Sequence, residues 1–130
     1  MRILIAEDDL ASRKFLDKFL SKYGQCDLVV DGIETIETYM AAVNEGKPYD
    51  LICLDIMMPK LDGIKALKAI RDLEKQKDIA EKDRAKIIMT TALENSEYVR
   101  QSFEYGSEAY ASKPIDMNKF IEVMERLELI

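Results

Sequence analysis

The sequence predicts an α/β fold in which parallel strands form one sheet with helices on both faces. Short, continuously apolar segments recur along the chain, and stretches with helical periodicity lie between them. Continuously apolar strands are typical of parallel sheets that are covered on both faces. Because parallel strands are joined by right-handed helical crossovers, this alternation indicates a three-layer sandwich, which we expect to form a single domain over residues 1–130.

The predicted strands are runs of aliphatic and β-branched residues. Four runs are clear and a fifth is weaker, and we expect each to be buried on both sides. In chain order the runs occupy residues 3–6, 28–30, 51–54, 87–89 and, as the weaker candidate, 109–111.

The predicted helices show apolar residues at spacings of three and four. Gly46 followed by Pro48 ends the second helix, Gly106 closes the less certain fourth at residues 98–105, and Asp116 is the expected N-cap of the last. The apolar positions of the other four are Ala11, Phe15, Leu16, Phe19, Leu20 and Tyr23; Ile33, Ile36, Met40 and Val43; Ile64, Leu67, Ile70 and Leu73; and Phe120, Ile121, Met124 and Leu127.

The charged stretch at residues 74–86 lies between the third helix and the fourth strand. We expect either an extended, solvated linker or an overhanging helical turn with charge pairs at spacings of four, and a docking role is the less favoured third interpretation.

Composition excludes several classes of function. A net charge of −6 argues against binding to nucleic acid, which requires a basic surface. The chain has no histidine, so it has no imidazole base and carries no phosphohistidine.

Cys26 and Cys53 form no CxxC motif and are expected to be free thiols of a reducing compartment. No apolar run approaches the ~20 residues of a membrane span, and early acids interrupt any signal peptide, so we expect a cytoplasmic protein.

Acids, hydroxyls and one lysine follow the predicted strands, and ligands of open α/β sheets bind at these carboxyl ends. Close carboxylates repel one another by about 4 kcal/mol per pair at an effective dielectric near 20, so a cation is required there. Mg²⁺ suits carboxylates, a carbonyl and waters, whereas soft metals require Cys or His. The residues concerned are Glu7, Asp8, Asp9, Asp55, Thr90, Thr91, Ser112 and Lys113.

Each of these features also has a structural interpretation. The acidic run at residues 7–9 is suited to a helix N-terminus, Asp55 to an N-cap or a structural partner, and Thr91 to the entry turn of a helix. We expect Asp62, which precedes Gly63, only to cap the third helix. Their joint occurrence in this order nevertheless favours a functional site.

Four segments, ILIAEDD, LICLDIMMPKLDG, IIMTTA and YASKPI, occur in this order. In these segments, across essentially its whole length, the chain resembles the receiver domain of two-component response regulators. The resemblance implies a flavodoxin-like fold with five helices and the strand order 2-1-3-4-5.

The resemblance also assigns roles to individual residues. Asp55 corresponds to the phosphoacceptor, Thr91 to the switch hydroxyl, Lys113 to the phosphate-pairing cation and Tyr110 to the rotating aromatic residue. The bond between Lys113 and Pro114 corresponds to the family's cis peptide. The implied Mg²⁺ ligands are Glu7, partly through water, Asp8, Asp55 and the main-chain carbonyl of Met57.

The implied function is phosphoryl transfer from an external phosphohistidine, on a sensor histidine kinase or a histidine phosphotransfer protein, to Asp55. Phosphorylation would draw Thr91 inward and let Tyr110 move, which changes the surface of the fourth helix, fifth strand and last helix for a downstream target protein. We expect a stand-alone regulator and a monomer, and dimerisation on phosphorylation stays open. The chain would catalyse only its own phosphorylation and dephosphorylation.

Some positions depart from the family. Residues 74–86 form a longer connection than is usual in the family, and they lack the proline that is often found there. Met57 and Leu93 occupy the positions that tune hydrolysis, and neither side chain can orient a water molecule, so we expect a long-lived phosphoryl group.

Two other functions remain possible: a Mg²⁺-dependent phosphohydrolase, which would usually carry an acid in place of Met57, and a docking module that is never phosphorylated.

Overall fold

The computed structural model describes residues 1–92 and 96–130, with Ser96 described in its backbone only. Five parallel strands form one sheet in the order β2-β1-β3-β4-β5, as predicted. The strands are β1 (Arg2–Ala6), β2 (Gln25–Val29), β3 (Leu51–Asp55), β4 (Lys86–Thr91) and β5 (Ala109–Ser112).

Five α-helices alternate with the strands. Aspartates cap four of them: each accepts a hydrogen bond from the backbone N–H three residues further on, which satisfies one free donor of the first turn. These caps are Asp9, Asp31, Asp62 and Asp116. The helices are α1 (Leu10–Leu20), α2 (Gly32–Asn44), α3 (Gly63–Gln76), α4 (Ser96–Glu104) and α5 (Met117–Arg126).

The core lies in two layers, one on each face of the sheet. Alternate residues of β1 divide between them: Leu4 packs with α2 and α3, whereas Ile3 and Ile5 pack with α1 and α5. Because the three central strands are covered on both faces, every residue of β3 is buried. This explains why the runs at residues 3–6, 51–54 and 87–89 are continuously apolar.

Two expectations about burial are wrong. β2 pairs with β1 alone and therefore forms an edge of the sheet; Leu28 is 41% exposed and Val30, which follows the strand, is 38% exposed. On α2, the predicted apolar residues Ile33 and Met40 face solvent. The residues that α2 buries instead are Gly32, Thr35, Tyr39 and Ala42.

The charged stretch at residues 74–86 is only partly a solvated connection. α3 extends to Gln76, and a short 3-10 helix forms at Glu81–Asp83. Glu74, predicted to be solvated, is fully buried. Its carboxylate pairs with Arg71 at 2.5 Å and accepts hydrogen bonds from the Tyr39 hydroxyl at 2.9 Å and the backbone N–H of Ala85 at 3.1 Å.

Arg71 extends this buried network to the connection between α4 and β5. Its Nε donates to the carbonyl of Gly106 at 3.0 Å, and its Nη2 donates to Glu108 at 2.9 Å. Glu108 also accepts the backbone N–H of Ile87 at 2.6 Å. Gly106 has a φ of +103°, and an added Cβ would lie 3.3 Å from Arg71. The network therefore ties α2, α3 and the start of β4 to the end of α4.

Both cysteines are free thiols: Cys53 is buried in the sheet and Cys26 is partly exposed. Within residues 1–92 and 96–130, no helix is long and apolar enough to cross a bilayer.

Candidate functional site

The carboxyl ends of β1, β3, β4 and β5 meet at one edge of the sheet. The register pairs Asp55 with Thr90, and Thr91 with Ser112, on neighbouring strands. The acidic residues that follow β1 therefore lie beside the end of β3, and the lysine that follows β5 reaches the same edge. The structure brings together the predicted residues Glu7, Asp8, Asp55 and Lys113.

Three carboxylates form the acidic part of the site. Glu7, Asp8 and Asp55 each place one oxygen so that all three oxygens lie within 4.8 Å of one another. Glu7 is fully buried, Asp55 is 4% exposed, and Asp8 faces solvent. Such a set of hard oxygen donors, with one solvent-facing member, fits a small divalent cation that keeps part of its water shell.

Lys113 provides the positive charge at this edge. Its Nζ lies 3.2 Å from Oδ2 of Asp55 and forms an ion pair with Oε1 of Glu7. The backbone N–H of Lys113 donates to the carbonyl of Thr91 at 2.8 Å, and the following bond to Pro114 is cis, as the resemblance implied. One ammonium group therefore serves two buried carboxylates, and the site keeps an excess of negative charge.

This crowding shifts the protonation of the site. Burial, reinforced by a hydrogen bond with Glu7 and by its charge, raises the pKa of Asp55 to about 7, although Lys113 opposes the shift. Burial alone would lower the pKa of Lys113, but Glu7 and Asp55 raise it above its ordinary value. Lys113 is therefore a permanent cation at neutral pH. A second positive charge beside Asp55 would favour its ionised form.

The start of α1 holds the first acidic loop in place. Arg13 donates from Nη1 to the carbonyl of Glu7 at 2.9 Å and to that of Asp8 at 3.3 Å. Asp9 caps α1 by accepting the Ser12 N–H at 2.9 Å, and this bond lowers the pKa of Asp9. Of the acids at residues 7–9, Asp9 therefore caps the helix, whereas Glu7 and Asp8 belong to the carboxylate cluster.

The start of α3 packs closely against the end of β3. A Cβ at Gly63 would lie 2.0 Å from the carbonyl oxygen of Asp55, so only glycine permits this approach. The Gly63 N–H donates to the carbonyl of Ile56 at 2.8 Å. Asp62 caps α3 through the Lys65 N–H at 2.9 Å, as predicted. These contacts fix the backbone on which Asp55 is carried.

The remaining predicted residues lie around this centre. Thr91 is buried at the end of β4, Met57 is 57% exposed beside the site, and Tyr110 is 44% exposed on β5. The ring of Tyr110 packs edge to face on Phe103 at 6.2 Å. Leu93, the second predicted hydrolysis-tuning position, lies outside the described residues.

Sequence reasoning missed two features of the site. The first is Arg13, which had no predicted role in the site but whose side chain holds the loop through the carbonyls of Glu7 and Asp8. Its position one helical turn after the acids was the available signal. The pairing of Lys113 with Glu7 was also not predicted, because strand register, which a single sequence does not give, determines which carboxylate the lysine reaches.

A model of the family described as the response regulator receiver domain matches residues 3–125. The chemotaxis protein CheY of Treponema pallidum is 33% identical over 123 residues, which cover 93% of this chain and 78% of that protein. The chain also matches Probable histidine kinase 2 of Oryza sativa subsp. indica at 27% identity, and there it spans 12% of the relative's length.

Solved structures show the same fold. A chain of the CheX-CheY-BeF3-Mg²⁺ complex from Borrelia burgdorferi is 27% identical with a TM-score of 0.84, covering 98% of this chain and 89% of that one. A chain of the Saccharomyces cerevisiae complex between the phosphotransfer protein Ypd1 and the Ssk1 receiver domain is 25% identical with a TM-score of 0.80, covering 100% and 92%. The protein therefore belongs to the response regulator receiver domain family.

Proposed function

We propose that this receiver domain accepts a phosphoryl group on Asp55 and acts as a phosphorylation switch in a two-component system. The observation that carries the proposal is the meeting of three carboxylates within 4.8 Å with a lysine ammonium 3.2 Å from Asp55. Phosphoryl transfer requires mainly positioning and charge neutralisation, and this arrangement supplies both.

The proposed nucleophile is a carboxylate oxygen of Asp55. It forms a bond to phosphorus while the bond from phosphorus to the donor's histidine nitrogen breaks, and the product is an acyl phosphate. Lys113 pairs with the transferred oxygens, and the Thr91 hydroxyl donates to one of them. Since residues 1–130 contain no histidine, the donor lies outside this domain: a phosphohistidine or a small acyl phosphate.

The residues present fit Mg²⁺, which relatives in this family bind. Asp8 and Asp55 would bind the ion directly, Glu7 partly through water, and Met57 through its main-chain carbonyl. When bound, Mg²⁺ supplies Lewis-acid neutralisation of charge on the acceptor and the phosphoryl oxygens. Lys113 neutralises only part of the negative charge of the three carboxylates, and the remaining charge supports this assignment. The Borrelia relative named above was solved with BeF3 and Mg²⁺.

The proposed output is a change in the surface formed by α4, β5 and α5. Phosphorylation adds about −1.5 to −2 charges at the site. Thr91 moves toward the new group and Tyr110 follows into the space. Tyr110, Phe103 and Met117 are all more than 40% exposed, so this surface offers apolar contacts to a downstream target protein. Crystals with and without a phosphate mimic test the movement; an unchanged Tyr110 rotamer would contradict it.

Proposed partners follow from the family. A sensor histidine kinase or a histidine phosphotransfer protein supplies the phosphoryl group. The Ypd1–Ssk1 complex joins a phosphotransfer protein to a receiver domain, and the Borrelia complex joins CheX to CheY. The match to a rice histidine kinase points to the same signalling class. In these relatives a receiver contacts a phosphotransfer protein in one complex and the protein CheX in the other. We therefore propose that this chain has a phosphodonor and a separate target protein.

The decisive experiment treats the protein with a small acyl phosphate and Mg²⁺ and measures the intact mass. We expect one covalent phosphate on the wild type and none on D55N. D62N is the matched control, because Asp62 caps α3 on the neighbouring loop, and it should be labelled like the wild type. Labelling of D55N, or no labelling of any variant under conditions in which all are folded, would refute the proposal.

The phosphohydrolase alternative has less support. Met57 stands where such enzymes usually carry their second acid, and a thioether neither donates nor accepts a proton at neutral pH. Sustained turnover of a phosphate ester would favour that alternative over the switch.

A further inference from the structure

A cleft of about 320 Å³ lies between α3 and α4, on a surface that the proposed phosphorylation site and output surface do not include. Lys65 and Lys68 line it from α3, Tyr98 and Gln101 line it from α4, and Tyr105 lines it as the first residue after α4. The volume lies within the range of ordinary ligand pockets. The walls are long, exposed side chains, which suits a peptide more than a small molecule.

The cleft and the proposed output surface lie on different sides of α4. Tyr98, Gln101 and Tyr105 are spaced by three and four residues and therefore share one face of the helix. Phe103 points elsewhere and packs on Tyr110 of β5. A partner in the cleft would thus leave the surface formed by α4, β5 and α5 accessible.

The lining of the cleft holds two lysines and one aspartate, so its net charge is +1. Among the ion pairs formed within the described part of the chain, none includes Lys65 or Lys68. Arg100, the basic residue of α4, differs because it is already paired with Glu97 and Glu104. The ammonium groups of Lys65 and Lys68 are therefore available to anionic groups of a partner.

Two further contacts shape the cleft before any partner binds. The Nζ of Lys68 lies 5.7 Å from the ring centroid of Tyr105, which holds the ammonium over the aromatic face. Arg71 holds the carbonyl of Gly106, the second residue after α4, at 3.0 Å. Asp62 also lines the cleft, and its carboxylate caps α3 by accepting the Lys65 N–H. The end of the cleft at Tyr105 is therefore preorganised, which lowers the cost of binding.

We propose that this cleft binds an acidic peptide segment of a partner protein, with an apolar side chain between Tyr98 and Tyr105 and carboxylates against Lys65 and Lys68. Charge complementarity favours an acidic partner. Nucleic acid, the other polyanion, requires a larger basic surface than these two lysines provide. This inference goes beyond phosphorylation and does not depend on it.

The test selects peptides from a random phage-displayed library on the immobilised D55N protein, which cannot be phosphorylated on the proposed acceptor. The selected peptides are then measured by fluorescence anisotropy against D55N and against the same protein carrying K65E and K68E. We expect acidic peptides with at least one aromatic or large aliphatic residue, and binding weakened about tenfold or more by the two charge reversals.

The matched control carries K75E and K82E, which change the net charge equally on exposed residues outside the cleft. It should bind the selected peptides within about twofold of the parent, and circular dichroism should show all three proteins folded. Peptides that are not acidic, or that bind the K65E and K68E variant as tightly as the control, would overturn the proposal. So would concentration-dependent self-association abolished by K65E and K68E in analytical ultracentrifugation, since the occupant would then be a second copy.

Discussion

The Nζ of Lys113 lies 3.2 Å from Oδ2 of Asp55, although the two residues are 58 positions apart in the chain. β3 and β5 carry them to the same edge of the sheet, with β4 between the two strands. The same ammonium also pairs with Glu7. One lysine is thus shared by two buried carboxylates, and the consequences for stability and pH dependence can be measured.

Replacing Asp55 with Asn should stabilise the metal-free protein at neutral and mildly alkaline pH. The raised pKa of Asp55, about 7 against an ordinary 3.8, means that the folded state holds the proton more tightly than the unfolded state. Its contribution to stability is therefore present at low pH and is lost as pH rises from about 4 through about 7. Thermal unfolding in EDTA at pH 8 should give D55N a Tm about 2–5 °C higher.

That difference in Tm between D55N and the wild type should shrink at pH 4, where Asp55 is protonated. A wild-type protein more stable than D55N at pH 8 without metal would contradict the proposed repulsion.

Replacing Lys113 with Met should destabilise the metal-free protein by about 1–3 kcal/mol, because Glu7 and Asp55 lose their shared counter-ion. Urea unfolding in EDTA measures this loss. Mg²⁺ should restore more stability to K113M than to the wild type, since the variant site is more anionic. K75M, on an exposed position of α3, is the control and should change stability by less than about 0.5 kcal/mol. Equal stability of K113M and K75M in EDTA would show that the buried pairs contribute nothing.

The buried hydrogen bond from Tyr39 to Glu74 should appear as a coupling in a double-mutant cycle. Y39F should cost about 1 kcal/mol, and E74Q about 2 kcal/mol because Arg71 loses a charged partner. The double variant should cost less than the sum by at least about 0.5 kcal/mol, as measured by urea unfolding. Additive costs would mean that the 2.9 Å contact is not energetically significant. E37Q, on an exposed position of α2, provides the control for a removed charge.

Alkaline titration should reveal two tyrosines that resist ionisation. Burial raises the pKa of Tyr39 and of Tyr49 far above the ordinary value of 10, and the carboxylates of Glu74 and Asp27 add to the respective shifts. Because the folded pKa is raised, this stabilisation is complete below pH 10 and is lost as pH rises above it. Tyrosinate absorbance of Y39F and Y49F should lack the late-titrating component of the wild type. A wild type whose tyrosines all ionise near pH 10 while the fold persists would contradict this.

Met57 should set the lifetime of the phosphorylated protein. Its side chain is 57% exposed beside the site and cannot orient an attacking water molecule. Replacement by Asn, which can donate and accept hydrogen bonds, should speed loss of the phosphoryl group about tenfold, a change of about 1.4 kcal/mol in the barrier. The decay of the phosphorylated mass after removal of the donor measures the rate. Rapid decay in the wild type that M57N leaves unchanged would refute the long lifetime.

The order of elements and the edge that carries the site were predictable because burial on both faces leaves a clear pattern. Runs such as residues 51–54 admit only apolar residues, and the polar residue that follows each run marks the edge. Edge strands and helix faces were less predictable. Leu28 was expected to be buried because an apolar residue on an edge strand looks the same in sequence as one in the centre.

The prediction of which face of α2 is buried was wrong for a related reason. Ile33 and Met40 are apolar and have helical spacing, but Thr35 and Tyr39 are buried instead. The Thr35 hydroxyl donates to the carbonyl of Asp31 within the helix, and the Tyr39 hydroxyl donates to Glu74. Glu74 was expected to be solvated since nothing in a single sequence reveals that Arg71 and Tyr39 will meet it. Pairings of this kind depend on tertiary contacts that sequence periodicity does not encode.

The position of Gly106 beside the Arg71 guanidinium limits how this protein can be recombined with its relatives. A chimera that exchanges the segment after α4 but retains α3 would place a foreign residue 106 against an unchanged arginine, with a foreign residue 108 as its partner. Exchanges designed to transfer output specificity should therefore move residues 71, 74, 106 and 108 as one unit, or place the crossover where it separates none of them.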